Sequence, residues 1–253
     1  MWVKTSYLWT SSDPTLGVVN GEDGFPDLAI GRLPETTLGE AHSLVQMVLA
    51  WEDTAQSLSG KAILVADNPD SAGDFETDIA DIRQSFLGSR DTQSILLRQH
   101  GANTRSEVLG ALDQGASILS YVGHGGPAVW ASENVLNSWD PPKLLAQSEQ
   151  PLMLTFNCLN GYFVAPNYDS LAEAFMKAEG RGTIAAFSPS GLSLDGPAHR
   201  FHRALMTEIV SGEHERLGDA VLAAQASYAD TGLMPELLAI YHLFADPGLR
   251  LRP

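Results

Sequence analysis

Short apolar runs alternate with amphipathic stretches along most of the chain. Near-continuous apolar segments at 61–66, 117–122, 151–156 and 182–187 predict buried strands, and a shorter one at 94–97 predicts another. Strands that alternate with helices of about 10 to 15 residues are typical of a mostly parallel sheet covered on both faces. The pattern therefore predicts an α/β fold, with an αβα sandwich of three layers.

The intervening stretches carry apolar residues at helical spacing. The first of them begins at Thr36 or Thr37, either of which can cap a helix, and its apolar residues Leu44, Val45, Val48 and Leu49 share one face. Residues 27–32 are expected to form one more short strand. The predicted helices cover about 36–52, 75–86, 104–114, 170–178, 197–211 and 215–229.

Two of the predicted strands are followed by reactive side chains. The run 117–122 leads into Gly123 and His124, and the run 151–156 leads into Asn157 and Cys158, which is the only cysteine. Because parallel strands end at one edge of a sheet, we expect the imidazole and the thiol to share one cleft. This is the layout of a cysteine nucleophile and its base.

The two side chains complement each other chemically. An ordinary thiol is mostly protonated at neutral pH, whereas the thiolate is the nucleophile. His124 can take the thiol proton or pair with the thiolate, and can later protonate a departing amine. The main-chain N–H groups of Gly125 and Cys158 are candidates for an oxyanion hole. The alternatives are a small buried cysteine and a histidine in a glycine turn.

A carboxylate could hold the second nitrogen of His124. Asp67 follows the strand 61–66, so we expect it at the same sheet edge as His124. The alternative is an aspartate that only opens the turn before Asn68 and Pro69.

Composition excludes several classes of function. The 253 residues suit one domain, 1–253, and the net charge of −16 makes nucleic acid an unsuitable partner. No apolar stretch approaches the roughly 20 residues that span a bilayer, so membrane insertion is not expected. One cysteine excludes an internal disulfide.

The sequence lacks the motifs of several cofactor-dependent and nucleophilic enzymes. It has no phosphate loop, no dinucleotide fingerprint and no Gly-x-Ser-x-Gly elbow, so we expect no cofactor for catalysis. The loop 20–24 carries two carboxylates and could bind a structural calcium ion, although a solvated turn is the alternative. His199 and His202 lack further ligands at suitable spacing, so a helix surface pair is favoured over a metal site.

Several motifs, taken in order, resemble the gingipain family of cysteine peptidases, which share the caspase-like fold. The resemblance covers most of the chain and depends on Gly-His-Gly-Gly at 123–126 with Trp130, Asn-Cys-Leu-Asn-Gly-Tyr-Phe at 157–163, Ser-Leu-Ala-Glu-Ala-Phe at 170–175, Pro-Asp-Leu-Ala-Ile-Gly-Arg-Leu-Pro at 26–34 and Leu-Phe-Ala-Asp-Pro at 243–247. It implies that His precedes Cys along the chain, as it does here.

The resemblance also implies roles for residues around the pair. Asp67 stands where arginine-specific gingipains have a glutamate, and Asp78 matches the carboxylate that selects a basic side chain. The alternative for Asp78 is an ordinary acidic residue near a helix N-terminus. Ser188 and Ser190 belong to a loop expected to form another pocket wall, without the tryptophan that gingipains carry there. Trp130 either lines the cleft or packs beneath it.

By resemblance, the chain is expected to be a cysteine endopeptidase that cleaves peptide or protein substrates after a basic residue. The same resemblance implies a secreted protein or one held at a bacterial cell envelope. The region before residue 26 is shorter than in gingipains, so an N-terminal part of the family domain is expected to be missing. The alternative function is a catalytically idle caspase-like domain kept for binding or scaffolding.

Overall fold

The apolar runs form the centre of a sheet because helices cover both of their faces. In the computed structural model, which describes residues 1–21, 24–54, 57–147 and 149–252, the strands formed by the four longest apolar runs are buried at every position. The strands are β1 (Trp2–Lys4), β2 (Trp9–Ser11), β3 (Ala62–Ala66), β4 (Thr92–Leu96), β5 (Ile118–Val122), β6 (Gly125–Gly126), β7 (Val129–Trp130), β8 (Leu136–Asn137), β9 (Leu152–Phe156), β10 (Ala185–Pro189) and β11 (Tyr241–Phe244).

Six strands make up the main sheet, in the order β11-β10-β9-β5-β3-β4. All neighbours are parallel except β11, which runs antiparallel to β10. Strands β1 and β2 form a separate hairpin, and β6, β7 and β8 form a small sheet directly after β5. The carboxyl ends of β9, β5, β3 and β4 therefore lie side by side along one edge.

The helices lie in two layers, one on each face of the main sheet. They are α1 (Leu38–Asp53), α2 (Phe75–Ile82), α3 (Leu97–His100), α4 (Thr104–Asp113), α5 (Leu171–Met176), α6 (Asp195–Ser211), α7 (Leu217–Ala229) and α8 (Leu237–Ile240). Short 3₁₀ turns at 14–17, 101–103 and 141–143 and a π turn at 83–87 complete the regular structure.

Alternation along the strands divides the core into two halves. In β3, Leu64 belongs to the cluster that includes the buried residues of α2, α6 and α7, whereas Ile63 and Val65 belong to the cluster with α4 and α5. Successive side chains of a strand point to opposite faces, so each half is filled by every second residue. The fold is therefore the three-layer αβα sandwich that the hydrophobic pattern predicted.

Two local predictions were wrong. Residues 27–32 form no strand beyond a single parallel bridge between Gly31 and Leu243. Helix α1 begins after Thr37, which forms a capping box with Glu40, but its Val45 and Leu49 are 46% and 51% exposed. The buried positions of α1 are Leu44 and Trp51, since the helix lies against the sheet along a stripe that apolar spacing alone did not identify.

Candidate active site

The sheet register brings the predicted nucleophile and base to equivalent positions. Val122, the last residue of β5, lies opposite Phe156, the last residue of β9. Two residues after these positions, the first segment reaches His124 and the second reaches Cys158. The Gly123 N–H donates to the Phe156 carbonyl at 3.5 Å, so the two segments stay adjacent beyond the strands.

Gly125 lets the His124 segment approach the cysteine loop closely. A Cβ at this position would lie 2.2 Å from Nδ2 of Asn157 and 2.7 Å from the main-chain oxygen of Cys158. Contacts this short are not tolerated, so any larger residue would push the two segments apart. Glycine at 125 is therefore required by the approach of the two main chains.

Asn160 joins the two segments with its amide group. Its Nδ2 donates to the main-chain oxygens of Gly126 at 2.5 Å and of Val129 at 3.1 Å, and its side chain is fully buried. Because buried polar groups are costly to leave unpaired, these bonds hold the hairpin after His124 against the loop that carries Cys158. Asn160 belongs to the 157–163 motif, but the sequence alone indicated no role for it.

Cys158 lies half-buried on a turn rather than inside the core. Its Sγ lies 3.5 Å from the main-chain N of Ser193 and 3.7 Å from the Ser193 oxygen. The next residue, Leu159, has a φ of +65°, a left-handed conformation that is unusual for a branched side chain. Such conformations concentrate at functional sites, where the surrounding structure maintains them. A cysteine kept only for packing would not need this turn.

The His124 ring is held by two neighbours on the loop after β3 and at the start of α2. Its Nε2 lies 2.9 Å from Oδ2 of Asp70, and its ring meets Phe75 edge-to-face at 5.3 Å. The N–H of Ala72 and the imidazole both lower the pKa of the Asp70 carboxyl. With the His124 and Asp70 side chains 51% and 47% exposed, this pair orients the ring and contributes little to folding.

Asp67 contacts the main chain of His124 and not the ring. Its carboxylate accepts hydrogen bonds from the N–H groups of His124 at 3.0 Å and Asn68 at 2.7 Å. Burial raises the pKa of this carboxyl, and the two N–H groups oppose that rise. The expectation that Asp67 orients the imidazole is therefore corrected. The short side chain of Asp67 is hydrogen-bonded to the main chain, and the carboxylate that reaches the ring is that of Asp70.

Two main-chain N–H groups near His124 and Cys158 make no hydrogen bond within the described residues. Since Ala131 N donates to the His124 carbonyl, the next pair in this ladder, Gly125 and Trp130, is a non-hydrogen-bonded pair. The Gly125 N–H consequently points away from the hairpin. The Cys158 N–H has no hydrogen-bond acceptor within the described ranges. Both groups are free for an incoming ligand.

Three expected substrate contacts lie in the interior instead. Trp130 is fully buried and stacks on Tyr121 at 4.4 Å, so it supports the hairpin from beneath. Ser188 is also buried, with its Oγ 2.6 Å from Oγ1 of Thr155. The Ser190 hydroxyl donates to the Ser11 oxygen at 2.8 Å and is buried as well. The assignment of these three residues to substrate binding is corrected, because strand β10 continues through Pro189 and turns the serines inward.

Asp78 lies on α2 beside a second carboxyl that sequence reasoning did not single out. Its neighbour is Asp195, the first residue of α6, which follows Ser193 and packs against Gly73. Burial, the charge of Asp195 and a hydrogen bond to Asp195 raise the pKa of Asp78 to about 7. A hydrogen bond between two carboxyls requires a proton that they share. Within the described part of the chain, no hydrogen-bond partner reaches the buried Oδ2 of Asp78.

The cations around this carboxyl pair do not neutralise it. Arg203 bonds to Asp81, and burial lowers the pKa of His199, which lies 3.6 Å from Oδ1 of Asp78. The Asp78–Asp195 pair is linked on one side to the loop that contacts Cys158 and on the other to the loop that holds His124. It therefore forms an acidic site, with His199 beside it, between the segments that contact the two candidate catalytic residues.

Replacing Asp78 with asparagine is expected to stabilise the fold at alkaline pH. The folded-state pKa of about 7 exceeds the ordinary 3.8, so the folded protein binds more protons than the unfolded chain between these values. The free energy of unfolding therefore falls as pH rises from 4 to 7 and stays low above 7. We expect Asp78→Asn to gain about 2 kcal/mol at pH 8 and nothing near pH 4. Urea unfolding at both pH values tests this, and a less stable variant at pH 8 would contradict it.

The described residues contain no group of possible metal ligands and no helix that could span a membrane. Within the described ranges, no three His, Cys, Asp or Glu side chains are grouped to hold a metal ion. The proposed calcium loop at 20–24 contains Glu22 and Asp23, which lie outside the described residues. No helix in the described part of the chain is long and apolar enough to cross a membrane.

Comparison with known proteins identifies the family of this chain. The sequence profile of peptidase family C25 matches residues 2–252. The chain belongs to peptidase family C25. This C25 chain is 23% identical over 261 residues to Gingipain R2 of Porphyromonas gingivalis strain W83, and 22% identical over the same length to Gingipain R1 of the same species. Each alignment covers 95% of the chain, but only 35% and 26% of these relatives.

Solved structures agree with the fold of this C25 chain. The crystal structure of the Arg-specific cysteine proteinase gingipain R superposes with a TM-score of 0.83 at 17% identity, over 96% of this chain and 60% of the other. The separase of the Saccharomyces cerevisiae separase–securin complex superposes with a TM-score of 0.57 at 16% identity, over 90% of this chain and 14% of the other. The C25 chain therefore spans less than two thirds of the relatives and structures that it matches.

Proposed function

We propose that this C25 chain is a cysteine endopeptidase with Cys158 as nucleophile and His124 as base and acid. The observation that carries the proposal is the register of β5 and β9, which delivers these two residues to equivalent positions at one sheet edge. The half-buried turn position of Cys158 and the hydrogen-bonded, partly exposed His124 ring support it further. Family membership supports the same class of chemistry.

The proposed reaction gives each group of the site one role. Asp70 accepts the Nε2–H of His124, which leaves Nδ1 as the nitrogen that takes the Cys158 proton. The thiolate attacks the substrate carbonyl, and the Gly125 and Cys158 N–H groups bind the oxygen that becomes negative. His124 then protonates the departing amine, so the peptide bond breaks and a thioester remains. Water, deprotonated by His124, hydrolyses the thioester and restores the thiol.

The proposed specificity is for arginine or lysine before the scissile bond. The Asp78–Asp195 pair supports this because it is half-buried and acidic, and because burial lowers the pKa of the neighbouring His199. A basic side chain that enters here would take the place of the shared proton and leave both carboxyls ionised. Gingipain R, the solved structure cited above, is described as Arg-specific.

Hydrolysis of fluorogenic peptides tests the function directly. Peptides that carry a fluorogenic amide after Arg, Lys, Asp or Ala are incubated with the full chain, and kcat/KM is compared. We expect cleavage after Arg and Lys, and little after Asp or Ala. No cleavage of any peptide, together with a Cys158 that reacts no faster than a free thiol, would favour a catalytically idle binding or scaffold domain.

We also propose that the domain acts on peptides or proteins outside the cytoplasm, as a secreted protein or one held at a bacterial cell envelope. The resemblance to gingipains supports this location. Fractionation of the source cells with antibodies against the domain tests it, and recovery only from the cytosol would contradict it.

Removing Asp70 and Asp67 separately should distinguish the two carboxylates. Asp70→Ala loses the hydrogen bond to the imidazole, so we expect kcat to fall about tenfold with no change in melting temperature. Asp67→Ala leaves two partly buried N–H groups, those of His124 and Asn68, without their acceptor and should destabilise the fold by about 1 kcal/mol. Thermal unfolding and kcat, measured for both variants, check the prediction. It fails if Asp70→Ala keeps full kcat while Asp67→Ala alters kcat without altering stability.

A further inference from the structure

A large open cavity lies beyond the carboxyl ends of β3 and β4, beside the loop that carries Asp67 and Asp70. Its volume is about 710 Å³, and its walls include Asn68, Pro69, Arg98, Arg105, Glu133 and Val135. This volume falls in the range of about 300–1,000 Å³ in which proteins bind small ligands, so the cavity has room for about two side chains. None of the roles described above uses it.

The order of the strands shows which part of a substrate would reach this cavity. Along the sheet edge, Cys158 follows β9, His124 follows β5, Asp67 follows β3 and Arg98 follows β4. A histidine that protonates the departing amine must lie on the side of the sulfur from which that amine leaves. The leaving segment therefore extends from β5 towards β3 and β4, where the cavity is located.

The wall formed by Asn68 and Pro69 connects the cavity to the catalytic histidine. These two residues lie between Asp67, which binds the main chain of His124, and Asp70, which binds its ring. On the opposite wall, Glu133 and Val135 belong to the segment that connects β7 and β8. The cavity is thus built from the same loops that position His124.

Two guanidinium groups line this cavity, whereas the Asp78–Asp195 site consists of two carboxyls. Arg98 is 66% exposed while its Nε and one terminal nitrogen are fixed on Glu76, so the other terminal nitrogen remains available. Arg105 is held by Asp140 and by the Asn134 main-chain oxygen.

One carboxylate, Glu133, also lines the cavity. It is exposed and accepts a hydrogen bond from its own neighbour Ser132 at 2.9 Å. Two guanidinium groups and one carboxylate therefore line the cavity, and each guanidinium is also paired with a carboxylate, Arg98 with Glu76 and Arg105 with Asp140. The terminal nitrogen of Arg98 that does not contact Glu76 is the group left to meet an acidic side chain.

We propose that this cavity binds the first residues after the scissile bond and that Arg98 selects an acidic side chain there. The inference rests on the proposed peptidase function and adds a second recognition site to it. The preferred substrate would then carry a basic residue before the cut and an acidic residue after it. Such a substrate matches the acidic pair on one side of Cys158 and the guanidinium groups on the other.

Cleavage of matched internally quenched peptides tests the proposal. The peptides have arginine before the cut and Glu, Gln or Lys in the two positions after it, and a fluorogenic arginyl amide serves as a substrate with no residue after the cut. For the unmodified chain we expect kcat/KM to decrease in the order Glu, Gln, Lys, by about threefold at each step, as for exposed ion pairs. Higher ionic strength should reduce these ratios.

Variants of Arg98 assign the preference to this residue. Ratios between peptides are measured within each variant, so any difference in the active fraction cancels. We expect Arg98→Lys to keep the order, Arg98→Gln to remove most of it and Arg98→Glu to reverse it. Arg181→Glu is the matched control, because this exposed arginine precedes β10 at the opposite edge of the sheet and its replacement changes the net charge equally.

The outcomes separate this inference from the proposed function. If the arginyl amide is cleaved but the three peptides are cleaved equally, or Arg98→Glu retains the original order, the cavity does not select acidic residues. If Arg181→Glu changes the order as much as Arg98→Glu does, overall charge is responsible and the inference is overturned. If neither the amide nor any peptide is cleaved, the peptidase proposal fails first and this inference fails with it.

Discussion

Cys158→Ala is expected to abolish peptide hydrolysis, with a loss in kcat/KM of at least about 10³-fold. Without the sulfur no thioester forms, and the described site offers no other nucleophile next to His124. The fold should survive, because Cys158 is half-buried and the hydrogen bonds of its Sγ, both to Ser193, are long. The measurement is kcat/KM on the arginyl amide, together with the melting temperature of the same sample.

His124→Ala serves as the companion variant. The two residues act as one unit, so the single variants and the double variant should lose similar amounts of activity. Residual activity in Cys158→Ala close to that of the unmodified chain would show that another group performs the chemistry. Additive losses in the double variant would show that the cysteine and histidine act separately.

Asp78→Asn is expected to reduce kcat/KM for arginyl and lysyl substrates by about 100-fold, since removing one partner of a desolvated charge pair costs 2–5 kcal/mol. Cleavage after alanine, if measurable, should change little. For the unmodified chain, KM for the arginyl substrate should fall as pH rises from 6 to 8. The reason is that the pKa of about 7 leaves the Asp78 carboxyl protonated below this range, and only the ionised form attracts a cation.

The control for this prediction is Asp81→Asn. Asp81 lies on the same helix and is paired with Arg203, but its charge helps to raise the pKa of Asp78, so its replacement should move the pH dependence of KM to lower pH without removing it. In Asp78→Asn that dependence should disappear. Equal cleavage after arginine by Asp78→Asn and by the unmodified chain would contradict the assignment of this carboxyl to substrate selection.

Much of the fold could be predicted from the sequence because the buried strands are short and almost purely apolar. The runs around Ile63, Leu119 and Leu154 present apolar side chains on both faces of the sheet. These side chains are buried only if helices cover both faces, and that requirement determines the three layers. Half-exposed segments were harder to assign. In α1 the apolar residues occupy more of the helix surface than the sheet covers, so the pattern did not show that Val45 and Leu49 would remain exposed.

The positions of His124 and Cys158 at the sheet edge followed from strand order alone, whereas their supporting residues did not. Asp70 and Asp67 lie on the same loop, and only the path of that loop decides which carboxylate reaches the ring. Asp195 looks in the sequence like any acidic residue at a helix start, and its partner lies on another helix. Ser190 appeared to belong to an open loop because nothing local indicates that Ser11 would bury it.

The central claim is that His124 activates Cys158, and the rate of alkylation tests it most directly. Reaction of Cys158 with iodoacetamide at pH 6 is followed by intact mass in the unmodified chain and in His124→Ala. The account predicts that the unmodified chain reacts at least about tenfold faster than the variant, since only a paired thiolate is abundant at this pH. Equal rates in the two proteins would contradict it.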